Sequence, residues 1–149
     1  MNVSIERAEL ADLAEVSKLF ADYLVFYERE SHLDSAHAFL TGRVKNAESV
    51  IFYARTDNGR YVGFTQLYPS FSSLSLERTW ILNDLYVAKE ARRKGIATRL
   101  MNAAKDYAVE TDAGGITLET ATTNTTAQSL YESLGYEKDT GFFTYFLKL

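Results

Sequence analysis

The apolar residues near the start of the chain recur at helical spacing. Between Ala11 and Tyr27 they form one stripe, made of Leu13, Val16, Phe20, Tyr23, Leu24 and Tyr27. Spacings of three and four residues place these side chains on one face of an amphipathic helix. The run VSIER before this stripe predicts a short strand, and a second helix is expected from Asp34 to Lys45.

The middle of the chain changes to the strand pattern. The runs SVIFYAR and YVGFTQLY are rich in β-branched and aromatic residues, and TDNGR connects them. Asn58-Gly59 in this connection predicts a type I′ hairpin, in which both central residues have positive φ. The serine-rich SFSSLS after Pro69 predicts a loop, and RTWILNDLYV predicts a long strand.

The last third alternates between the two periods. A helix is expected from Ile96 to the glycines Gly114 and Gly115, and ITLETA predicts the next strand. A further helix carries Ala127 to Leu134, with Gly135 at its C-terminal end, and GFFTYFLKL predicts a closing strand. The predicted order β-α-α-β-β-β-α-β-α-β-β is that of an α/β protein with a mixed sheet flanked by helices. Apolar residues on both faces of the last strand predict that a second subunit covers it, as in a homodimer.

Composition narrows the class of protein. The chain has 149 residues, of which 46% are hydrophobic and 24% charged, as expected for one globular domain, residues 1–149. Its net charge of −4 argues against a general nucleic-acid surface, and the absence of cysteine excludes a thiol nucleophile or thiolate metal site. The start of the chain has no apolar signal region, and no run approaches the roughly 20 apolar residues of a membrane span. We therefore expect a cytoplasmic protein without a membrane partner.

The stretch ARRKGIATRL concentrates positive charge at a predicted strand-to-helix turn. Such a turn presents unpaired N–H groups and the positive end of a helix dipole, which together suit a phosphate group. Gly95 allows the backbone to approach a ligand closely, and Ala97 keeps the first helical turn small. The pattern matches neither the Walker motif nor G-x-G-x-x-G. An ordinary solvated basic turn is the alternative reading of these residues.

The motifs in the second half of the chain resemble those of the GNAT family, the Gcn5-related N-acetyltransferases. The family's loop Q/R-x-x-G-x-G/A is matched by Arg92, Gly95 and Ala97. Its later element, Asn followed by A-x-x-L-Y-x-x-x-G-F/Y, is matched by Asn124, Ala127, Leu130, Tyr131, Gly135 and Tyr136. The run LNDLYV and the aromatic tail are most similar to the diamine, polyamine and Hpa2-like branches. The resemblance implies a sheet of six to seven strands with about four helices, in which the fourth and fifth strands splay apart.

The resemblance also implies acetyl-CoA as cosubstrate and no metal. The residues expected to bind acetyl-CoA lie in three places along the chain, namely Leu85, Tyr86 and Val87; Arg92, Arg93, Lys94, Gly95, Ile96, Ala97 and Thr98; and Asn124, Ala127 and Tyr131. The loop would bind the diphosphate, and the strand backbone would pair with the pantetheine amides. Direct transfer to an amine is expected, since the chain offers no activated nucleophile for a covalent intermediate.

Direct transfer requires a base for the ammonium and an acid for the leaving thiolate. Tyr131 matches the family's acid, although a tyrosine on the apolar stripe of a helix can equally be a core residue. Asp84 and Glu119 are the candidate bases. Asp84 can instead attract a cationic substrate while water relays the proton to Glu119, and either carboxylate can be a solvated strand residue. Asn83 stands where the polyamine branch has a glutamate, so the base of that branch does not transfer.

The acceptor site is expected at the end of the first helix, where Tyr23, Tyr27 and Glu28, together with Asn83, are the candidate substrate-binding residues. Aromatic walls and a carboxylate would suit an ammonium group. Alternatively, the two tyrosines continue the core stripe. His32 and His37 lack the companions of a metal site. The sequence thus predicts an N-acetyltransferase acting on a small primary amine, such as a diamine, amino acid or aminoglycoside, or on a peptide; the alternative is a silent acyl-CoA-binding regulatory module.

Overall fold

The computed structural model describes all residues from 1 to 149 and contains five strands and four α-helices. The strands are β1 (Val3–Arg7), β2 (Val50–Thr56), β3 (Tyr61–Ser72), β4 (Glu77–Val87) and β5 (Gly115–Thr117). The helices are α1 (Leu13–Phe26), α2 (Leu33–Lys45), α3 (Ile96–Glu110) and α4 (Thr125–Ser133). The expected mixed α/β class is confirmed, but the expected six to seven strands are wrong, since the sheet has five.

The sheet follows the order of the chain, β1-β2-β3-β4-β5. The first four strands are antiparallel neighbours, whereas β5 is parallel to β4. The β4–β5 ladder covers only Thr79↔Gly115 to Ile81↔Thr117. The remainder of β4, from Leu82 to Val87, therefore pairs with β3 alone and leaves its other edge without a strand.

Helices α1 and α2 cover one face of the sheet, and α3 covers the other. Neighbouring residues of β2 point to opposite faces, and they belong to different clusters of the core. Tyr53 packs with α1 and α2, around Phe20 and Leu40, whereas Ala54 packs with Leu100 of α3. The apolar stripe of α1 therefore faces the sheet from Leu13 to Phe20, as predicted, whereas Tyr27 at its end is exposed.

The turn between β2 and β3 differs from the predicted type I′ hairpin. Only Gly59 has positive φ, at 87°, whereas Asn58 does not. The Gly59 N–H donates to the Thr56 carbonyl over 2.9 Å, and the Thr56 N–H donates to the Arg60 carbonyl over 2.8 Å. This loop is longer than the two-residue type I′ loop and needs only one residue of positive φ, which follows the turn. Glycine is favoured at position 59 for this reason, whereas position 58 has no such requirement.

Two further boundaries were predicted wrongly. SFSSLS is not a loop from its start, because β3 continues through Pro69 to Ser72. Beyond Val50↔Leu67, where the β2 ladder ends, β3 pairs with β4 alone, and Pro69 lies opposite Trp80. Proline is tolerated in such an edge segment because its missing N–H can face the side that has no strand. Similarly, the strand predicted at ITLETA ends at Thr117, and Leu118 to Ala121 lie outside regular structure.

Residues 1–118 form one compact unit and residues 119–149 a second. The second unit contains α4, and the strand predicted at GFFTYFLKL is absent. A strand needs a partner for its backbone hydrogen bonds, and residues 119–149 contain no other strand to supply one. Phe143 and Tyr145 of this segment are 90% and 92% exposed. None of the helices combines the length and apolar character needed to cross a membrane.

Candidate active site

The loop between β4 and α3 has an unusual backbone. After a 3₁₀ turn at Lys89–Ala91, both Arg93 (φ 63°) and Gly95 (φ 76°) adopt the left-handed conformation. A Cβ placed on Gly95 would have no protein atom within 4 Å, so the space beside it is open. The two left-handed residues turn the chain sharply into the N-terminus of α3.

This turn leaves a row of N–H groups without acceptors. None of the N–H groups of residues 93–98 donates to a backbone or side-chain acceptor of the chain, and the Gly95 cap receives no side-chain bond. The first intrahelical bond runs from the Arg99 N–H to the Gly95 carbonyl over 3.2 Å. Six consecutive N–H groups at the positive end of a 15-residue helix can bind an anion with two phosphate groups.

The N-terminus of α3 is held rigidly against the sheet. Ala91, Ile96 and Leu100 are all buried in one apolar cluster. A Cβ on Gly63 of β3 would lie 3.3 Å from Leu100 Cδ1 and 3.1 Å from the Tyr86 carbonyl oxygen, so glycine permits this close approach. The first turn of α3, which carries the N–H groups of residues 96–98, is thus packed against the core, which lowers the cost of ordering these groups on binding.

The side chain of Arg92 is used for structure. Its Nε donates to the Val87 carbonyl over 2.9 Å, and its guanidinium lies 5.5 Å from the Phe26 ring centroid and 5.6 Å from that of Tyr86. Arg92 therefore joins the end of β4, the loop and the end of α1. Arg93 and Lys94 are exposed and make no ion pair, so they are the cations of this motif that can attract phosphate.

The unpaired edge of β4 lies directly before this loop. Leu85, Tyr86 and Val87 pair with Thr65, Phe64 and Gly63 of β3, and their other edge is free of strands. An extended ligand with amide groups can add to such an edge by backbone hydrogen bonds. The strand end and the helix end expected from the sequence therefore adjoin in the folded chain.

A β-bulge interrupts β4 at Asn83. Gln66 is opposite Asp84, but the next residue of β3, Leu67, is opposite Leu82, so Asn83 is the extra residue. Asp84 is consequently turned to the face of the sheet that carries Gln66, Phe64 and α1. Its side chain is only 5% exposed, and no cation of the chain pairs with it.

Two residues that were not candidates from the sequence support this carboxylate. Gln66 is hydrogen-bonded to it, and Ser49 is hydrogen-bonded to Gln66. Gln66 Nε2 donates to Asp84 Oδ2 over 2.7 Å, and Ser49 Oγ donates to Gln66 Oε1 over 2.7 Å. Asn83 Nδ2 donates to Asp84 Oδ1 over a longer 3.2 Å. A glutamine within the apolar run YVGFTQLY was the available signal, but its partners are distant in sequence.

The candidate acceptor residues on α1 separate into two groups. Tyr23 is half-buried and its ring packs edge-on against Phe64 and Tyr86, at centroid distances of 5.9 and 6.1 Å, so it belongs to the core. Tyr27 is 50% exposed and packs on Tyr23 at 5.0 Å. Glu28 is exposed and has a left-handed φ of 59°. Tyr27 and Glu28 can therefore contact a ligand directly, whereas Tyr23 supports them.

The remaining candidate residues lie in the second unit, residues 119–149. Asn124 caps α4, because its Oδ1 accepts a hydrogen bond from the Ala127 N–H over 3.1 Å. Tyr131 is half-buried on α4, and its ring centroid lies 6.2 Å from that of Tyr136. Burial raises the pKa of Tyr136, and neighbouring Tyr131 adds to the shift. Glu119 is exposed and outside any strand, so its predicted strand position is wrong.

The chain has no group of three or more His, Asp or Glu side chains arranged to hold a metal ion. His32 and His37 do not contribute to such a group.

Comparison with known proteins agrees with this geometry. The chain is 50% identical over 147 residues to the uncharacterized N-acetyltransferase YhfO of Bacillus subtilis (strain 168), covering 99% of this chain and 98% of the relative. It is 32% identical over 131 residues to a probable acetyltransferase of Haemophilus influenzae (strain ATCC 51907 / DSM 11121 / KW20 / Rd), covering 88% of each. The crystal structure of a probable acetyltransferase superposes with a TM-score of 0.92 and 46% identity, covering 98% of this chain and 97% of that one.

The family profile covers both units of the chain. The Acetyltransferase (GNAT) family matches residues 13–136, which include the loop with its six unbonded N–H groups, the edge of β4 and α4. Members of the family use acetyl-CoA as cosubstrate, and the orphaned N–H groups fit its diphosphate. The chain belongs to the GNAT acetyltransferase family and is an acetyl-CoA-dependent N-acetyltransferase.

Proposed function

We propose that the protein transfers the acetyl group of acetyl-CoA directly to the primary amine of a small cationic molecule, such as a diamine, polyamine, amino acid or aminoglycoside. One observation carries the proposal, namely the row of unbonded N–H groups at residues 93–98 beside the unpaired edge of β4. These two features form one continuous surface, in which the first suits a diphosphate and the second an extended chain with amide groups.

In this proposal the residues expected from the sequence bind the carrier. The N–H groups of residues 93–98 bind the diphosphate, and Arg93 and Lys94 attract it. The free edge of Leu85, Tyr86 and Val87 pairs with the pantetheine amides. An N–H group near Leu85 then donates to the carbonyl oxygen of the thioester as negative charge develops on it. Asn124 and Ala127 set the position of Tyr131 by forming the first turn of α4.

The acceptor is bound as a cation at Asp84. A buried carboxylate without a cationic partner is costly, and an incoming ammonium group offsets that cost. Asn83 lies exposed at the bulge beside it, and Tyr27 and Glu28 at the end of α1 provide further polar and aromatic contacts. This preference favours a small charged amine over a neutral one.

The transfer forms a nitrogen–carbon bond and breaks the carbon–sulfur bond of the thioester. The ammonium loses one proton to a base before attack, and the amine nitrogen loses a second proton as the amide forms. Tyr131 supplies a proton to the departing thiolate, and the second proton from the amine nitrogen returns to the Tyr131 phenolate through water. The proton of the ammonium passes either to Asp84 or, through water, to Glu119. The second route is favoured because Asp84 binds the ammonium group.

A thiol-release assay tests the proposal. Purified protein is incubated with acetyl-CoA and each of 1,4-diaminobutane, spermidine, lysine, lysine methyl ester and an aminoglycoside, and free CoA is measured with a thiol reagent. CoA release that depends on a cationic primary amine supports the proposal. Tight acetyl-CoA binding without release for any amine would contradict it and favour a silent acyl-CoA-binding module.

Two accompanying expectations stay proposals. A homodimer is proposed because the aromatic and aliphatic side chains of the C-terminal segment, among them Phe142, Phe146 and Leu147, are more than 80% exposed in the single chain. Light scattering of the full chain at several concentrations tests this, and a monomer at all concentrations would refute it. A cytoplasmic location is proposed as well, since acetyl-CoA is made and used inside cells.

A further inference from the structure

A line of buried polar side chains crosses three strands beside the bulge. Ser49, which precedes β2, donates to Gln66 of β3, and Gln66 donates to Asp84 of β4, each over 2.7 Å. Their exposed fractions are 6%, 0% and 5%. Buried polar groups of this kind are stable only when their hydrogen bonds are made, so each member restricts the others to one arrangement.

The direction of these hydrogen bonds is determined by Asp84. An ionised carboxylate can only accept, so Gln66 must present its NH₂ group to Oδ2. Its carbonyl oxygen then faces Ser49, whose hydroxyl must donate. The hydrogen bond from Ser49 thereby disfavours the flipped orientation of the Gln66 amide, in which Oε1 would face the Asp84 carboxylate and be repelled by it.

The main chain of Asp84 is held from the same strand. The Thr65 hydroxyl donates to the Asp84 carbonyl over 2.8 Å, and Thr65 is itself fully buried. Thr65 and Gln66 are consecutive residues of a strand and therefore point to opposite faces. β3 thus fixes the backbone of Asp84 from one face and its carboxylate from the other, at the point where the bulge interrupts the regular ladder.

We infer that Gln66 and Ser49 are positioning residues, which orient the Asp84 carboxylate to bind the ammonium group of the acceptor. Gln66 occupies Oδ2, so Oδ1, with only the longer bond from exposed Asn83, is the oxygen that meets the acceptor. This inference rests on the proposed function, since it assigns Asp84 the same acceptor.

Steady-state kinetics with 1,4-diaminobutane as acceptor test the inference. Gln66→Met keeps the side-chain length but removes the donor to the carboxylate. The KM for the diamine should rise about tenfold to a hundredfold, as expected for a lost hydrogen bond to a charged group, while the KM for acetyl-CoA is unchanged. Ser49→Ala should raise the diamine KM about threefold to tenfold, and Ser49→Thr should restore it.

Ser17→Ala is the matched control. Ser17 lies in α1 and is as buried as Ser49, but its hydroxyl has no hydrogen-bond partner. This variant should leave both KM values unchanged. Equal changes in both KM values for Gln66→Met would indicate general damage and overturn the inference. A lower kcat at constant diamine KM would also overturn it, by giving Asp84 a role in proton transfer and not in binding.

A binding measurement separates this inference from the proposed function. The side-chain amide signal of Gln66 is identified by NMR from its loss in Gln66→Met and then followed during titration with methylammonium chloride. A saturable shift that disappears in Asp84→Asn is expected, even if no amine in the assay is acetylated. No shift in the native protein would overturn the inference. Native protein that releases no CoA with any amine counts against the proposed function alone.

Discussion

A substitution at Gly95 tests the cofactor loop, and the chain offers a matched control. Gly95 (φ 76°) and Gly59 (φ 87°) are both left-handed, and neither has a protein atom within 4 Å of a built Cβ. Valine at either position therefore meets backbone strain without a packing clash. A left-handed residue with a side chain costs about 1–2 kcal/mol, so Gly95→Val and Gly59→Val should lose similar free energies of unfolding.

Only Gly95→Val should also lose affinity for acetyl-CoA. The valine methyl groups would enter the open space beside the N–H groups of residues 93–98, and relief of the strain would turn those groups away from one another. Each hydrogen bond to a charged phosphate contributes about 1.5–3 kcal/mol, so loss of one or more raises the Kd at least tenfold. Weaker binding of this size in Gly95→Val, with native affinity in Gly59→Val, is the expected result.

Isothermal titration calorimetry with acetyl-CoA measures the affinity, and urea unfolding of both variants measures the strain. Comparing two variants of equal stability removes global unfolding as an explanation of any lost binding. Equal acetyl-CoA affinity in the two valine variants would show that the diphosphate does not approach this loop. The reasoning from the unbonded N–H groups would then be wrong, whatever the enzyme's activity.

Three further predictions concern chemistry and pH. Tyr131→Phe should lower kcat about tenfold to a thousandfold with little change in the Kd of acetyl-CoA; native turnover would remove Tyr131 from the mechanism. Asp84→Asn should raise the diamine KM about tenfold or more, and an unchanged value would end the role of Asp84 as the ammonium partner. Burial raises the pKa of Asp12, but bonds from the Glu9 N–H, Tyr61 and Tyr53, with the charge of Arg55, lower it below the ordinary value. Its ionised form therefore stabilises the fold above the unfolded pKa of about 3.9, and this contribution is lost as the pH falls through the folded pKa. Asp12→Asn should lower the free energy of unfolding by about 1 kcal/mol at neutral pH, but not in acid, where Asp12 is protonated. Urea unfolding measures this difference, and a difference that does not change with pH would contradict the prediction.

Periodicity predicted the local elements well, because burial of one face determines them. The stripe through Leu13, Val16 and Phe20 faces the sheet as expected, and α2 begins and ends within one residue of its predicted limits. Details that depend on neighbouring strands were harder to predict. Pro69 remains in β3 only because β2 has already ended, which no local pattern reveals.

The C-terminal segment shows the limit of pattern reading. The run GFFTYFLKL has the composition of a strand, yet residues 137–149 form no ladder in the single chain. Composition reports a preference, whereas a strand also needs a partner with free backbone groups. A partner outside the single chain is invisible to both periodicity and propensity.

The candidate site was predictable only in part. Arg92, Gly95 and Ala97 stood out because a short motif carries them, and the loop they form has the expected free N–H groups. The structural role of Arg92 was not predictable, because its partners Val87 and Phe26 are brought together by the fold. The same holds for Gln66 and Ser49, whose contacts depend on the register of β2, β3 and β4.

A crystal structure with acetyl-CoA is the most direct test of the central claim. The diphosphate oxygens are expected to accept hydrogen bonds from the N–H groups of residues 93–98, and the pantetheine arm is expected to lie along the free edge of β4 at Leu85, Tyr86 and Val87. Acetyl-CoA bound elsewhere on the chain, or held in the loop by side chains alone while these N–H groups face solvent, would contradict this expectation.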